Sequence, residues 1–381
     1  MSTVAIVACA TYEQDVLDKK IKDVCILGSM PDVSGKKVLL KPNILSDAKK
    51  ETGITTNPAI VKAMIHLLKE QGAKEILVGD SPGLQGPAFS PRNCGIAQVC
   101  MDENVQWVDF TKNSTTHAIP YTHGKKIQLA SILEQVDMII SLPKFKTHQL
   151  MYSTGATKNL FGLVPGLHKS PSHVIYPTRE AFASLIVGIL TTVKPSFALM
   201  DGIIGMEGAG PANGIPCKVG YLLASTDCIA LDYSQAVIMG YDPMTIPIVK
   251  EGLKRNLGSC PPSYPGLDAK DLVIKDFLRI EQQQVTKFFG SLVAPFLSRK
   301  FKKKLSKREE RPAPKFLPEP CIQCKRCVEI CPVGALKLVN KHIEIDTSLC
   351  VRCYCCHEIC PANAISIESK NVTTDVLKGK K

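Results

Sequence analysis

The sequence predicts an α/β domain with a largely parallel sheet, followed by a small α+β domain built on an internal repeat. Three observations carry this. Short apolar runs of strand length alternate with amphipathic stretches of helix length through most of the chain. The 381 residues are 45% hydrophobic, enough to bury a large core. Two cysteine-rich runs, "CIQCKRCVEICP" from Cys321 and "CVRCYCCHEICP" from Cys350, mark off a separate unit. The divisions that follow are 1–280 for the α/β domain, 281–316 for a basic helix and Pro-rich linker, 317–369 for the cysteine-rich domain and 370–381 for a tail.

The α/β domain opens with "VAIVACA" and "KKVLLKPNIL", which read as short buried strands. "NPAIVKAMIHLLKEQGA" is an amphipathic helix: Asn57 suits the cap, Pro58 the first helical position and Gly72 the stop. Ile60, Val61, Met64, Ile65 and Leu68 keep helical spacing, which turns His66 outward and away from a ligand role. "EILVGDSPG" is a strand running into a Gly/Pro loop. "VQWVDF", "VDMIISLPKFK", "PSFALMDGI" and "VGYLLAST" read as further strands, and "REAFASLIVGILTTV" and "DCIALDYSQAVIMG" as helices. In such sheets ligands bind beyond the carboxyl ends of the strands.

Polar residues gather in the loops expected at those ends. "KPNIL" supplies Lys41 and Asn43, and "GDSPG" supplies Asp80 and Ser81. "LPKFKTH" supplies Lys144, Lys146 and His148, and "GATKNLFGLVPGLHK" supplies Lys158, Asn159, His168 and Lys169. "DGIIGMEGAGPANGIP" adds Asp201, Glu207 and five glycines. A lone lysine or histidine is ordinarily a surface side chain. Five such loops together predict an anion site, because glycines let backbone amides approach a ligand and lysines hold negative charge. Lys41, Asn43, Lys144, Lys146, Lys158, Asn159 and Lys169 are the expected binding residues; Asp80, His148, Asp201 and Glu207 are placed to move protons. Gly155 and Gly162 are expected to resist substitution if their loops need backbone conformations that only glycine tolerates.

The cysteine runs carry the sharpest chemistry. Cys321, Cys324, Cys327 and Cys331 follow C-x2-C-x2-C-x3-C-P, and Cys350, Cys353, Cys356 and Cys360 repeat it 29 residues later. This spacing aims several thiolates at one iron–sulfur cube, with the fourth cysteine crossing to the other cube in two-cluster ferredoxins. One [4Fe–4S] cluster is therefore expected on Cys321, Cys324, Cys327 and Cys360, and another on Cys350, Cys353, Cys356 and Cys331. Zinc sites pair two knuckles across a longer gap, and disulfides do not suit a cytosolic chain. "CPVGALKL" aligns with "CPANAISI", which extends the repeat into the two-fold arrangement of a bacterial-type ferredoxin. Cys355 falls opposite Arg326 and reads as a spare thiol rather than a ligand.

Net charge is +12 with the thiols counted as neutral. Eight thiolates around two oxidised cubes bring it to about +8. The segment 298–315 holds nine Lys/Arg, and "VTKFFGSLVAPFL" before it offers a helical apolar face. That segment reads first as a basic, solvated connecting helix, and alternatively as a docking face for an acidic redox partner or an anionic membrane. No nucleic-acid module accompanies the charge. The start lacks a signal-peptide pattern and no apolar run approaches a membrane span, so a cytoplasmic, soluble protein without a transmembrane segment is expected.

"KPN", "TTNPAIVKAMIHLLKEQGAKEILVGDSPG", "LPKFKTHQLMYSTGATKNLFGLVPG" and "DGIIGMEGAGPANG" with "LLASTDCIALDYSQAVIMG" closely resemble the DUF362 family. That prokaryotic family has no defined function and is often fused to a ferredoxin domain. A fainter likeness links "KNLFGLVPG" to a block of the nickel-pincer lactate racemases, whose histidine-rich signatures have no clear counterpart here. Neither a G-x-G-x-x-G fingerprint after an early strand nor a Walker A sequence is present. Two function classes stay open. One is an iron–sulfur oxidoreductase that exchanges electrons with an anionic ligand, with room for a further unidentified cofactor in the α/β site. The other is a non-catalytic electron-transfer or cluster-binding adaptor that docks a redox partner protein.

Overall fold

A computed structural model of the chain describes residues 1–83, 89–282 and 311–367. The apolar helix expected from Val285 to Val293, most of the basic run 298–315 and the tail 370–381 lie outside the described residues.

The strands are β1 (Ala5–Ala8), β2 (Lys37–Pro42), β3 (Glu75–Asp80), β4 (Gln106–Asp109), β5 (Ser114–Ala118), β6 (Lys126–Ala130), β7 (Met138–Leu142), β8 (Lys144–His148), β9 (Tyr152–Thr154), β10 (Phe197–Glu207) and β11 (Ile215–Ser225). All but the β5–β6 hairpin join one mixed sheet, in the order β1-β11-β10-β7-β2-β3-β4. From β10 to β4 every pairing is parallel, while β11 and β1 close the other edge antiparallel. The fold is α/β with a largely parallel sheet. The run "VDMIISLPKFK" divides at Pro143, which has no N–H to continue the ladder. Its first half, β7, pairs with β2 and the start of β10, and its second half, β8, pairs further along β10 and with β9.

Side-chain alternation along the central strands sorts the helices into two layers. Val38 and Leu40 of β2 pack with Ile76, Val78 and Ile140 against α1 (Gln14–Leu27) and α2 (Pro58–Glu70). Leu39, Leu77 and Ile139 point the other way, onto α6 (Arg179–Val193). Between these helices in the chain come α3 (Ile96–Asp102), α4 (Ala156–Asn159) and α5 (Lys169–Ile175). α7 (Cys228–Ile238) and α8 (Pro247–Lys254) cover β10 and β11 through Met200, Leu223, Leu231 and Val249. α2 begins as its sequence requires: the Asn57 side chain accepts from Ala59 N at 3.0 Å, and Pro58 fills the first turn. His66 lies on its outer side, bridging Asp18 at 2.8 Å and Glu103 at 3.0 Å. α1, α3, α8 and the β5–β6 hairpin were not singled out in the sequence, and the stretch read as the loop "GATKNLFGLVPGLHK" holds α4 and the start of α5.

The cysteine-rich unit pairs β12 (Lys315–Phe316) with β15 (Ile365–Ser366) and β13 (Leu336–Val339) with β14 (His342–Ile345). Its two short helices are α9 (Arg326–Ile330) and α10 (Cys355–Ile359). The repeat is visible in the backbone: Gln323 and Lys325 are left-handed at φ 56 and 60, and Arg352 and Tyr354 match them at 54 and 67. The fourth cysteines match as well, since Cys331 Sγ accepts from Ala335 N at 3.3 Å and Cys360 Sγ from Ala364 N at 3.2 Å.

This unit sits against the α/β part. Tyr354 is buried in the apolar cluster of Leu160, Phe161 and Phe182, and its hydroxyl donates to Pro312 O at 3.1 Å. Arg311 donates to Pro177 O at 2.5 Å and Val351 O at 3.3 Å, and Asn213 donates to His357 O at 2.9 Å. The stretch from Arg311 is thus extended, as its prolines suggest, but pinned between the two parts. Among the described residues no helix is long and apolar enough to cross a membrane.

Candidate functional site

Two parallel strands end in opposite charges. Lys41, at the end of β2, is fully buried and donates to Asp80 Oδ1 at 2.8 Å, Pro42 O at 2.8 Å and Asn159 Oδ1 at 3.2 Å. Asp80, at the end of β3, also accepts from Ile44 N at 2.7 Å and Ser81 N at 2.8 Å. Burial lowers the Lys41 pKa, and the Asp80 carboxylate opposes that shift. Asn159 locks the arrangement from α4, donating to Lys41 O and Ser141 Oγ, each at 3.0 Å. Gly162 lies flat on the pair: a Cβ there would stand 2.2 Å from Asp80 Oδ1 and 2.5 Å from Lys41 Nζ. At Gly155 a Cβ would stand 2.0 Å from Asp232 Oδ1, which accepts the Ala156 N–H at the start of α4. Gly155 is extended (φ −136, ψ −158), and Gly162 is not among the positive-φ residues. Lack of space, not a left-handed backbone, is what excludes a side chain at both.

Beside the Lys41–Asp80 pair lies a cavity of about 110 Å³. The α/β part lines it with Asn43, Ser81, Lys158, Phe161, Lys169 and His173, and the cysteine-rich unit with Ile330, Cys355, Glu358 and Ile359. Lys169 is anchored, donating to Val164 O and Ser81 O (each 2.5 Å) and Ser81 Oγ (3.2 Å). Burial pushes its pKa down to about 7, against the pull of Asp80. His173 stacks on Phe182 at 4.4 Å, and burial beside Lys158 pushes it down to about 3, so it is neutral.

Lys158 differs from the other lysines. Its ammonium finds no hydrogen-bond acceptor among the described residues, and the Phe161 ring centroid is 5.9 Å away. Burial lowers its pKa, while Glu358 and Cys355 across the cavity partly restore it. A half-buried cation with unused donors is open to an anion or water.

The remaining expected residues sit in a second buried group or beyond it. Lys144 donates to Asp201 Oδ2 at 2.6 Å, and Asp201 also accepts from Tyr12 Oη at 2.7 Å and Asn57 N at 2.9 Å. That pair is complete and does not line the cavity. Lys146 donates to Ile54 O at 2.6 Å, and burial, with Lys158 next, pushes its pKa down to about 7. His148 accepts from Leu150 N and Met151 N on Nδ1, so its proton sits on Nε2. Nε2 lies 3.3 Å from Glu358 Oε1, but the two do not form a hydrogen bond. Glu207 accepts from Leu278 N at 3.0 Å, away from the cavity.

Sequence reading singled out Lys41, Asn43, Asp80, Lys158, Asn159 and Lys169, which line this cavity, together with Lys144, Lys146, His148, Asp201 and Glu207, which do not. It did not bring in Phe161, His173, Cys355 or Glu358. For Glu358 the repeat gives no signal: it matches Glu329 by position, yet is half-buried where Glu329 is exposed. Only docking of the two parts creates that difference.

The cysteines suit iron–sulfur chemistry. Cys321, Cys324, Cys327 and Cys360 line one cavity, bringing the fourth cysteine of the second run to the first three of the other. On the other side, burial and then the nearby Cys353 and Cys331 push the Cys350 thiol up. Cys356 is likewise raised by burial, then by Cys353 and Cys350. Each group of soft sulfur donors fits a cluster rather than a hard cation. Cys355 instead lines the lysine-lined cavity.

Comparison with known proteins follows this division. A family model described as a domain of unknown function, DUF362, matches residues 38–236, more than half of the chain. A model described as a 4Fe-4S dicluster domain matches residues 320–364. A thylakoid-associated protein of Synechocystis sp. is 32% identical over 247 residues, covering 64% of this chain and 76% of that protein. Among solved structures, the lactate racemase apoprotein of Thermoanaerobacterium thermosaccharolyticum has 10% identity and a TM-score of 0.40, covering 62% of this chain and 57% of that one. A Thermotoga maritima protein has 15% identity and a TM-score of 0.35, covering 55% of each chain. In both structures the match spans less than two thirds of the other chain.

Proposed function

The chain belongs to the DUF362 family and carries a 4Fe–4S cluster-binding domain, and from that premise we propose that it exchanges electrons with a small anion held in the cavity between its two parts. The observation that carries this reading is the cavity lining, in which the unpartnered ammonium of Lys158 faces Cys355 and Glu358 of the cysteine-rich unit. Cys321, Cys324, Cys327 and Cys360 would hold one cluster, and Cys350, Cys353, Cys356 and Cys331 a second. Clusters there supply single electrons.

The chain's own residues do the rest. Lys158 binds the anion, and Asn43, whose Oδ1 has no partner, is available to a donor on it. Lys41, Asp80 and Asn159 hold the cavity floor rigid through their closed set of hydrogen bonds. Phe161, Ile330 and Ile359 exclude water and raise the strength of the charge contact. Glu358, whose carboxyl pKa is pushed up by burial, is the group placed to supply a proton at the wall, with His148 Nε2 behind it at 3.3 Å. Asp201 and Glu207 serve structure in this reading.

The test is thermal stabilisation of anaerobically prepared protein by formate, acetate, oxalate and phosphate. Lys158→Ala should lose one charge-assisted contact, about 1.5–3 kcal/mol, or a ten- to hundred-fold drop in affinity, with its iron retained. Equal stabilisation of wild type and variant would move the ligand elsewhere. No stabilisation by any anion would favour the adaptor reading.

A further inference from the structure

The internal repeat gives the cysteine-rich unit two equivalent faces, and the structure uses only one of them against the α/β part. Around the second run, Tyr354 is 2% exposed and Cys355 is buried beside the lysine-lined cavity. Val351 and Arg352 are half-buried there. A shift of 29 residues relates these positions to Ile322, Gln323, Lys325 and Arg326 of the first run. There the same surface is bare. Ile322 is 65% exposed, and Gln323, Cys324, Lys325 and Arg326 are all exposed.

The bare face also differs in chemistry. Where the docked face presents an aromatic ring and a thiol, this one presents Lys325 and Arg326. Lys341 and His342 of the β13–β14 hairpin join them around Cys321, Cys324, Cys327 and Cys360. That lining contains no aspartate or glutamate, and no described ion pair engages Lys325, Arg326 or Lys341. An apolar side chain standing clear of the surface inside a basic ring is the layout of a transient, electrostatically steered contact. A membrane would need a broader apolar face than Ile322 and the partly exposed Leu317 offer.

We infer that the face formed by Ile322, Lys325, Arg326 and Lys341 docks a small acidic electron-carrier protein, so that the two ends of the cysteine-rich unit have different roles. The bare end receives electrons and the docked end faces the cavity. This assignment of direction rests on the proposed electron exchange at the cavity. Each encounter moves one electron: the carrier is oxidised by one and the iron–sulfur unit is reduced by one. The geometry also accounts for the exposed Cys324, since a carrier must approach closely for transfer to occur.

The experiment measures equilibrium binding of oxidised flavodoxin, an acidic one-electron carrier, to the iron-loaded full chain by calorimetry at low and high salt. Wild type should bind, and added salt should weaken the complex. The double variant Lys325→Glu/Arg326→Glu should raise Kd about tenfold or more at low salt and flatten the salt dependence. Lys341→Glu, which falls outside the cysteine runs in sequence, should act in the same direction and decides the matter if the double variant fails to retain iron. Lys270→Glu, exposed on the α/β part, should leave Kd unchanged. No binding by wild type, unchanged Kd in Lys341→Glu, or equal weakening by Lys270→Glu would overturn the docking face. Failure of the anion panel with carrier binding intact would instead sink the cavity reading, and with it the assignment of direction, and leave the docking face standing.

Discussion

Replacing Gly162 with alanine places one carbon against the buried ion pair at the floor of the cavity. The new Cβ would meet Asp80 Oδ1 at 2.2 Å and Lys41 Nζ at 2.5 Å. Neither atom can move freely. Lys41 is 0% exposed with three acceptors around its ammonium, and Asp80 is 2% exposed with two backbone donors besides the lysine. Overpacking alone costs about 1–3 kcal/mol, and separating a buried pair costs about 3–5 kcal/mol. A net loss of about 3–5 kcal/mol is expected, because accommodation of the methyl group requires the pair to open. For a domain of this size each kcal/mol lowers Tm by about 2–4 °C, so a drop of roughly 6–20 °C should appear in calorimetry. Gly83 is the matched control, since it lines the same cavity but a Cβ there meets nothing within 4 Å. Gly83→Ala should leave Tm within about 1 °C, because the added methyl group displaces nothing. A Gly162→Ala protein as stable as wild type would refute the claim that the floor is rigid.

Other outcomes follow from the same geometry. Of the lysines lining the cavity, burial holds Lys169 near a pKa of about 7 and lowers Lys158 too. An anion favours their charged forms, so binding should take up protons near neutrality and weaken as pH rises through about 7. Calorimetry in buffers of different ionisation enthalpy reads the proton count; proton release, or affinity flat from about pH 6 to 9, would contradict this. Cys355→Ser should leave the iron content per chain at the wild-type value, because the thiol faces the cavity. A loss of iron would make it a ligand.

Much of the architecture was legible in local pattern. The helix at Pro58–Glu70 announces itself through Asn57, Pro58 and an apolar stripe, and its observed cap agrees. The strands ending in Lys41 and Asp80 were readable as short apolar runs, and the strand-end rule placed their polar residues at one edge. α1 was equally readable in principle, since Leu17, Ile21 and Val24 keep helical spacing and are buried. The β5–β6 hairpin, "STTHAIPYTHGKKIQLA", carries mostly polar and weakly alternating residues, so its signal was faint. The site was only partly legible, because side-chain pairing is a long-range matter. Nothing local in "LPKFKTH" distinguishes Lys144, spent on Asp201, from Lys146, held by Ile54 O. Tyr12, which completes the Lys144–Asp201 group, comes from a segment that had no reason to be singled out. The contribution of Glu358 and Cys355 depends on which face of a two-fold repeat is docked, and repeat symmetry itself hides that choice.

The most direct measurement is electron paramagnetic resonance of the chemically reduced protein, with and without a stabilising anion from the panel. If the anion shares a cavity with the iron–sulfur unit, its binding should change the spectrum of wild type. In Lys158→Ala the spectrum should stay unchanged at the same anion concentration. An anion that stabilises the wild-type protein against heat yet leaves its spectrum untouched would contradict the account.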